Sequence, residues 1–255
     1  MRSRPPLFAL AEAPLRRHWL VRGALACSGL CIGGLLLVDG LAGSPELAQT
    51  SQSPATTANG EAFARPDHPV RRIVEKPVVV AIGDSIMDGH GLNPGDAWPA
   101  LVANQEGWRL TDLASDGSGF VTAGDDGTTF VDQAAVAAQM RPALVIMSAS
   151  SNDLGQDSAA VSAASADVLQ KLKEASPNTK IVSVSAAWGS TTLPDQLVEF
   201  NSNLEHATTD IGGTYIDIGQ PFFDHPDLLQ DDDTHPTIDG QNVIAGIIDQ
   251  QLRAG

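Results

Sequence analysis

Short apolar runs alternate with longer stretches of helical periodicity between residues 73 and 252 of the chain. The first run, residues 78–82, consists of valine, alanine and isoleucine, and it ends abruptly at Gly83-Asp84-Ser85. A short, continuous apolar run that ends in turn residues is typical of a strand buried in a parallel sheet. Four further runs predict four more strands, at residues 109–113, 144–148, 181–186 and 214–218.

Segments with helical character separate most of these runs. Strands that alternate with helices favour a parallel sheet with helices on both faces, which is an α/β fold. Right-handed crossovers then place the carboxyl ends of all strands at one edge of the sheet, where ligands bind in such folds. The predicted helices cover residues 133–140, 158–175, 194–208 and 238–252.

The charge and the cysteine positions exclude several classes of function. The formal net charge is -16 at pH 7, and residues 73–255 carry seven basic and 26 acidic side chains. A surface this acidic repels phosphate groups, so nucleic acid is not expected as a partner. Both cysteines, Cys27 and Cys31, precede residue 73. The remainder therefore cannot hold a disulfide of its own, a cysteine nucleophile or a cysteine-bound zinc.

Residues 1–43 are predicted to be a signal peptide or a signal anchor, with a buried helix as the remaining alternative. Three arginines precede an uncharged run at residues 23–38, which is shorter than the ~20 residues of a membrane span and suits the core of a signal peptide. Both membrane interpretations predict an extracytoplasmic protein, either secreted or anchored to the membrane by this segment. Residues 44–73, rich in Ser, Thr, Ala and Pro, predict a disordered linker to a domain at residues 74–255.

Ser85 follows the first predicted strand and is a candidate nucleophile. A serine hydroxyl reacts near neutral pH only with a base within hydrogen-bond reach, and that base needs an orienting group. His235, with Asp232 three residues before it, supplies both on a turn that leads into the last predicted helix. The charge that develops on a tetrahedral intermediate also needs hydrogen-bond donors. The candidate donors are the backbone N–H groups of Ser85 and Gly119 and the side-chain amide of Asn152.

Four short motifs contain these residues in chain order: Gly83-Asp84-Ser85 with Gly89, Asp116-Gly117-Ser118-Gly119, Ser150-Ser151-Asn152-Asp153, and Asp232-x-x-His235-Pro236. Over about residues 74–255 the sequence resembles the SGNH (GDSL-type) esterases and lipases. The resemblance implies that Ser85 is the nucleophile, His235 the base and Asp232 the orienting acid. It further implies that Gly119 and Asn152 are oxyanion donors. The fold that it implies is a flavodoxin-like, three-layer α/β/α sandwich with a five-stranded parallel sheet, without cofactor or metal.

Three positions leave alternatives open. Ser150 stands where the motif usually has glycine, and its Cβ is expected to crowd the backbone or to change the shape of the pocket. Gly117 competes with Gly119 for the role of oxyanion donor. His90 either lines the mouth of the pocket or is a solvent-exposed loop histidine. Two acids within the motifs are expected to be structural: Asp84 and Asp153.

The sequence thus predicts an exported serine esterase that hydrolyses short-chain acyl esters through an acyl-enzyme on Ser85. The expected partner is a small acyl ester or an acylated glycan, and no protein partner is predicted. Two alternatives stay open. The first is an O-acyltransferase or deacetylase that acts on an envelope polysaccharide through the same serine. The second is a catalytically silent carbohydrate-binding module that keeps the fold.

Overall fold

Five parallel strands form one sheet in the computed structural model, which describes residues 75–254. The predicted signal segment (residues 1–43) and linker (residues 44–73) lie outside the described residues. The strands are β1 (Val78–Ile82), β2 (Arg109–Asp112), β3 (Leu144–Ser148), β4 (Lys180–Val184) and β5 (Thr214–Ile216). Their order across the sheet is β2-β1-β3-β4-β5, and all neighbouring pairs are parallel.

Helices connect the strands within the same part of the chain. They are α1 (Ser85–Asp88), α2 (Trp98–Glu106), α3 (Phe130–Met140), α4 (Ser158–Ala175), α5 (Asp195–Asp210) and α6 (Ile238–Ala254). Short 3₁₀ turns occur at Pro94–Asp96, Ser151–Asp153 and Pro226–Leu228. Between residues 75 and 254, no helix has both the length and the apolar character that a membrane crossing requires.

Two apolar clusters, one on each face of the sheet, join the helices to the strands. On one face Val79 packs with Ile244 of α6 and with residues of α2. On the other face Val80 packs with Phe130 of α3, Leu169 of α4 and residues of α5. Because successive residues of β1 are buried on opposite faces, the whole strand is apolar. The observed layers and the strand order confirm the predicted flavodoxin-like α/β/α sandwich.

The element boundaries differ from the prediction mainly in two helices. The sequence patterns did not predict α2, whose Pro99 lies in the first turn, where the missing N–H of proline is tolerated. Helix α3 begins at Phe130, before the predicted start at residue 133. The reason is a capping box, in which Thr129 and Asp132 each accept the backbone N–H of the other. Both β1 and β3 have the predicted bounds.

Candidate active site

Ser85 occupies the first position of α1, directly after the turn that ends β1. Asp84 caps the helix, because its Oδ1 accepts the Ile86 N–H at 3.0 Å. Gly89 ends the helix after four residues with a φ of 81°, and its N–H donates to the Ser85 carbonyl at 2.9 Å. This tight turn holds Ser85 at the carboxyl edge of the sheet, with only 7% of its surface exposed.

A chain of hydrogen bonds joins Asp232, His235 and Ser85. The Nδ1 atom of His235 lies 2.6 Å from Asp232 Oδ2, and its Nε2 atom lies 2.9 Å from Ser85 Oγ. The other oxygen of Asp232, Oδ1, accepts the backbone N–H groups of Thr234 and His235, each at 3.0 Å. Both carboxylate oxygens are therefore committed, which fixes the carboxylate relative to the imidazole. The structure thus brings together the three side chains that the sequence singled out.

The pKa of Asp232 lies well below its usual range. The largest cause is the hydrogen bond to the His235 side chain, and the second is the hydrogen bond from the His235 backbone N–H. Asp232 is therefore ionised at neutral pH. An ionised carboxylate directs the Nδ1–H of the imidazole toward itself, which leaves Nε2 free to accept a proton. The acceptor Nε2 faces the Ser85 hydroxyl, so this geometry suits removal of the hydroxyl proton.

Gln230 anchors the loop that carries His235, although the sequence patterns did not single it out. Its backbone N–H donates to the His235 carbonyl at 2.7 Å. Its Nε2 donates to the carbonyls of His90 at 2.8 Å and Pro236 at 3.1 Å. The bond to His90 ties the histidine loop to the segment that follows α1. These bonds help to hold His235 at hydrogen-bond distance from Ser85.

Gly119, in the loop after β2, does not have the free N–H that an oxyanion donor needs. The Gly119 N–H donates to the Thr122 carbonyl at 2.9 Å, so in this structure it is not free to bind an oxyanion. A Cβ at Gly119 would lie 2.5 Å from a carboxylate oxygen of Asp153, which explains the glycine. Asp153 is fully buried and accepts the Phe120 and Thr122 N–H groups at 2.7 and 3.0 Å. Asp153 is structural, as predicted, whereas the expected role of Gly119 is corrected.

Free donors remain on Asn152, Gly117 and Ser85. The Nδ2 of Asn152 donates one hydrogen to the Ser118 carbonyl at 3.0 Å, which leaves its second hydrogen available. Among residues 75–254, no hydrogen bond uses the backbone N–H of Gly117 or that of Ser85. Gly117 has a φ of 75°, a conformation that favours glycine. The alternative that the sequence left open, Gly117, therefore replaces Gly119 as the candidate donor.

Ser150 forms hydrogen bonds at the site. Its backbone is extended, with a φ of -128° and a ψ of 138°, so glycine is not required there. Its hydroxyl lies 2.7 Å from Asp84 Oδ2 and 3.0 Å from the Ser118 carbonyl, and it accepts the Asn152 N–H at 3.1 Å. Burial raises the pKa of Asp84, and the Ser150 hydrogen bond partly offsets that effect. The Ser150 backbone is therefore one that any residue adopts, and Asp84 is structural, as predicted.

The sequence of this domain matches a known family. The model of the GDSL-like Lipase/Acylhydrolase family matches residues 81–243, from β1 into α6. The chain belongs to the GDSL-like lipase/acylhydrolase family. By this membership the protein is an enzyme, a carboxylic ester hydrolase, which confirms the prediction from the four motifs.

Relatives of this GDSL-like hydrolase include a curated protein and several solved structures. The chain is 27% identical over 181 residues to the GDSL lipase Rv0518 of Mycobacterium tuberculosis, covering 66% of this chain and 78% of that protein. A family two carbohydrate esterase from Cellvibrio japonicus is 17% identical, with a TM-score of 0.58 over 71% of this chain and 62% of that chain. The psychrotrophic esterase EstA from Pseudoalteromonas sp. is 17% identical, with a TM-score of 0.55 over 70% of this chain and 98% of that chain. The two structures share the fold.

Gln133, on α3 of this GDSL-like hydrolase, holds the backbone that precedes the nucleophile. Its Oε1 accepts the Gly83 N–H at 2.9 Å, and its Nε2 lies 3.1 Å from both the Gly83 carbonyl and Ser118 Oγ. The side chain is buried, with 4% of the residue exposed. Sequence reasoning missed this role, although a glutamine on the buried face of an alanine-rich helix is a signal for it.

Replacing Gln133 with leucine should destabilise the protein. The change leaves the buried N–H of Gly83 without its acceptor, whereas the Gly83 carbonyl keeps the Ser115 N–H and the Ser118 hydroxyl. An unpaired buried polar group costs about 1–3 kcal/mol. We expect the free energy of unfolding in urea to fall by about 1–3 kcal/mol. Gln139 is exposed on the same helix, so Gln139→Leu is the matched control and should stay within about 0.5 kcal/mol. A Gln133→Leu variant as stable as the wild type would contradict this role.

A cleft of about 220 Å³ lies beside Asp232. It forms where the loops after β1, β3 and β4 meet the loop that carries His235. Gly189 allows this meeting, because a Cβ there would collide with the Asp233 carbonyl oxygen. The lining residues include Ile86, Ser151, Ala187, Trp188, Thr191 and Asp232.

His90 lies against the face of the His235 ring. The two ring centroids are 4.2 Å apart, and the planes are inclined at 30°. The Nδ1 atom of His90 pairs with Asp116 Oδ2, while 45% of the His90 side chain is exposed. Both interpretations from the sequence are therefore partly correct, since this histidine is exposed and also contacts the site.

Proposed function

We propose that this enzyme is a serine esterase that hydrolyses short-chain acyl esters through an acyl-enzyme on Ser85. The hydrogen-bond chain from Asp232 through His235 to Ser85 carries the proposal. It couples a serine hydroxyl to a base at 2.9 Å, and that base to a carboxylate at 2.6 Å. A serine that only caps a helix has no need of either partner, whereas a nucleophilic serine needs both.

In the acylation step, Ser85 Oγ attacks the carbonyl carbon of the ester while His235 Nε2 takes the hydroxyl proton. Asp232 keeps its charge and stabilises the imidazolium that forms. The N–H groups of Ser85 and Gly117, together with the free hydrogen of Asn152, donate to the oxyanion. His235 then returns the proton to the leaving alcohol as the C–O bond breaks, which leaves the acyl group on Ser85.

Deacylation repeats these steps with water as the nucleophile. His235 takes a proton from the water, whose oxygen attacks the acyl carbon. The bond to Ser85 Oγ breaks, and the serine oxygen recovers its proton from His235. The products are a free acid and an alcohol, and all their atoms come from the ester and water.

The size of the cleft supports a preference for short acyl chains. Its volume of about 220 Å³ is below the range of about 300–1,000 Å³ for pockets that enclose drug-sized ligands. Ile86 and Ala187 contribute apolar surface, and Trp188 contributes an aromatic side chain. We place the acyl group in this cleft because Ile86 directly follows Ser85 and because Asp232 bonds to His235. In that placement an acetyl or butyryl group is enclosed, whereas the end of a long fatty acyl chain extends into water.

A panel of p-nitrophenyl esters tests the proposal on the full-length chain. We expect kcat/KM for the acetate and butyrate to exceed that for the decanoate by about tenfold or more, because the cleft cannot enclose the longer chain. The Ser85→Ala variant defines the background rate. A preference for the decanoate would contradict the short-chain assignment, and rates at background for every ester would contradict the esterase function.

The products of the same reaction separate hydrolysis from acyl transfer. With a polysaccharide acceptor present, hydrolysis transfers the acyl group to water alone, so all of it appears as free acid. An acylated polysaccharide would instead support an O-acyltransferase that uses the same acyl-enzyme. If a fluorophosphonate probe failed to label Ser85, a silent carbohydrate-binding module would be favoured, because such a probe reacts with activated serines.

A further inference from the structure

A second pair of histidine and carboxylate lies beside the first. His90 Nδ1 pairs with Asp116 Oδ2, just as His235 Nδ1 pairs with Asp232 Oδ2. The His90 and His235 rings stack with centroids 4.2 Å apart. His90 follows α1 and Asp116 follows β2, so neither belongs to the loop that carries His235. Neither residue takes part in the proposed acylation and deacylation steps.

Several contacts hold His90 in place. Its backbone N–H donates to the Ser85 carbonyl at 2.9 Å, and its own carbonyl accepts Gln230 Nε2 at 2.8 Å. Asp116 holds the ring through Nδ1. Hydrogen bonds therefore hold both the backbone and the side chain of His90, and they set the orientation of its ring against His235.

We propose that His90, held by Asp116, is a positioning residue that keeps the His235 ring in place and stabilises its protonated form. The inference rests on the proposed function, since it assigns His235 the role of base. Rotation of the His235 ring would move Nε2 away from Ser85 Oγ, and the stacked ring of His90 opposes that rotation. When His235 takes the serine proton, it becomes a cation against an aromatic face.

Asp116 supplies negative charge at the Nδ1 edge of the His90 ring. Its Oδ2 faces His90, but within residues 75–254 its buried Oδ1 has no hydrogen-bond partner. A carboxylate oxygen without a donor favours a cation nearby, because its charge is otherwise uncompensated. The His235 imidazolium is the cation that the proposed reaction creates, one stacked ring away from Asp116.

Acidic side chains face the two rings from the neighbouring elements. The charge of His235 acts on Asp84, and the charges of Asp116 and His90 both act on Asp88. Burial raises the pKa of Asp88, and the neighbouring Asp116 raises it further. Asp112 adds to the same group through its interaction with Asp88. Of these acids, Asp116 is the one paired with the stacked ring, so its removal is the sharpest test.

Three substitutions separate the stacking from the charge. His90→Ala removes the stacked ring and should lower kcat by about tenfold with little change in KM, because the interaction strengthens only when His235 becomes charged. His90→Phe keeps a flat ring and should recover part of that loss.

Asp116→Asn should lower kcat and move the acid limb of the kcat profile to lower pH. The sign follows because an imidazolium that loses a stabilising negative charge forms less readily.

An exposed pair elsewhere provides the matched control. His225 Nδ1 lies 3.7 Å from Asp227 Oδ1, so His225→Ala and Asp227→Asn make the same chemical changes away from His235 and should keep the wild-type kcat and profile. Wild-type kcat in His90→Ala, or an Asp116→Asn profile that superposes on the wild type, would overturn the inference. Thermal melting shows whether each variant is folded. An inactive Ser85→Ala variant in the same assay would leave the esterase function standing even then.

Discussion

Alanine in place of Ser85 will abolish ester hydrolysis while the fold is retained. Loss of the nucleophile alone lowers kcat on the order of 10⁶-fold in a serine hydrolase, because no other group can form the acyl-enzyme. Alanine is a good helix former, so the first turn of α1 should persist, and the free energy of unfolding should change by about 1 kcal/mol or less. Hydrolysis of p-nitrophenyl butyrate and urea unfolding measure the two quantities.

A serine outside the hydrogen-bond chain of the site provides the control for this variant. Ser202 lies on α5, and Ser202→Ala should keep both the wild-type rate and the labelling of Ser85 by a fluorophosphonate probe. Labelling of the Ser85→Ala protein at another serine, together with residual hydrolysis at the wild-type rate, would place the nucleophile elsewhere. The urea unfolding curve would reveal an unfolded Ser85→Ala variant, so unfolding can be distinguished from loss of the nucleophile.

Asparagine in place of Asp232 should lower kcat on the order of 10⁴-fold. The substitution keeps the size of the side chain but removes the charge that stabilises the His235 imidazolium. It also permits the wrong tautomer, with the proton on Nε2, which then cannot accept the proton of Ser85. The loss should appear in kcat more than in KM, because the imidazolium forms during the reaction and not on substrate binding.

A substitution of the neighbouring Asp231 tests whether kcat depends on the position of Asp232 or only on the charge of the loop. Asp231 is exposed and precedes Asp232 directly, so Asp231→Asn removes the same charge from the same loop. We expect it to keep nearly the wild-type rate, since Asp232 is the acid that bonds to His235. A larger loss in Asp231→Asn than in Asp232→Asn would contradict the assigned orienting acid.

The lowered pKa of Asp232 also sets the sign of a stability effect. A carboxyl group whose pKa is depressed by folding stabilises the protein above its ordinary pKa, and that contribution is lost as the pH falls through the depressed value. The stability difference between wild type and Asp232→Asn should therefore be largest near neutral pH and shrink in strong acid.

Much of the fold followed from local patterns. The continuous apolar runs of β1 and β3 have the predicted bounds because strands buried on both faces must be apolar throughout. Helix α2 escaped prediction, because its nine residues begin with Trp98-Pro99 and are too few to show a clear repeat. The shift in the start of α3 came from a cap, which a search for apolar spacing does not detect.

Part of the candidate site was also predictable from local patterns, and part was not. Ser85 and the Asp232–His235 pair were predictable because strand ends meet at one edge and a spacing of three residues allows an aspartate to reach a histidine. The assignment of Gly119 was not, because its N–H is used by Thr122 in a loop whose hydrogen bonds the sequence does not reveal. The hydrogen bonds of Ser150 to Asp84 and Ser118 were likewise not predictable, because they join separate loops.

The sequence by itself determined the sheet, its order of layers, and which serine, histidine and aspartate could act together, because these depend on periodicity and on short spacings. Only the tertiary structure decided which N–H groups are free, that Gln133 holds Gly83 across 50 positions, and that His90 stacks on His235. The last two contacts join residues far apart in the chain, and the free N–H groups depend on the conformation of a loop, which no local pattern records.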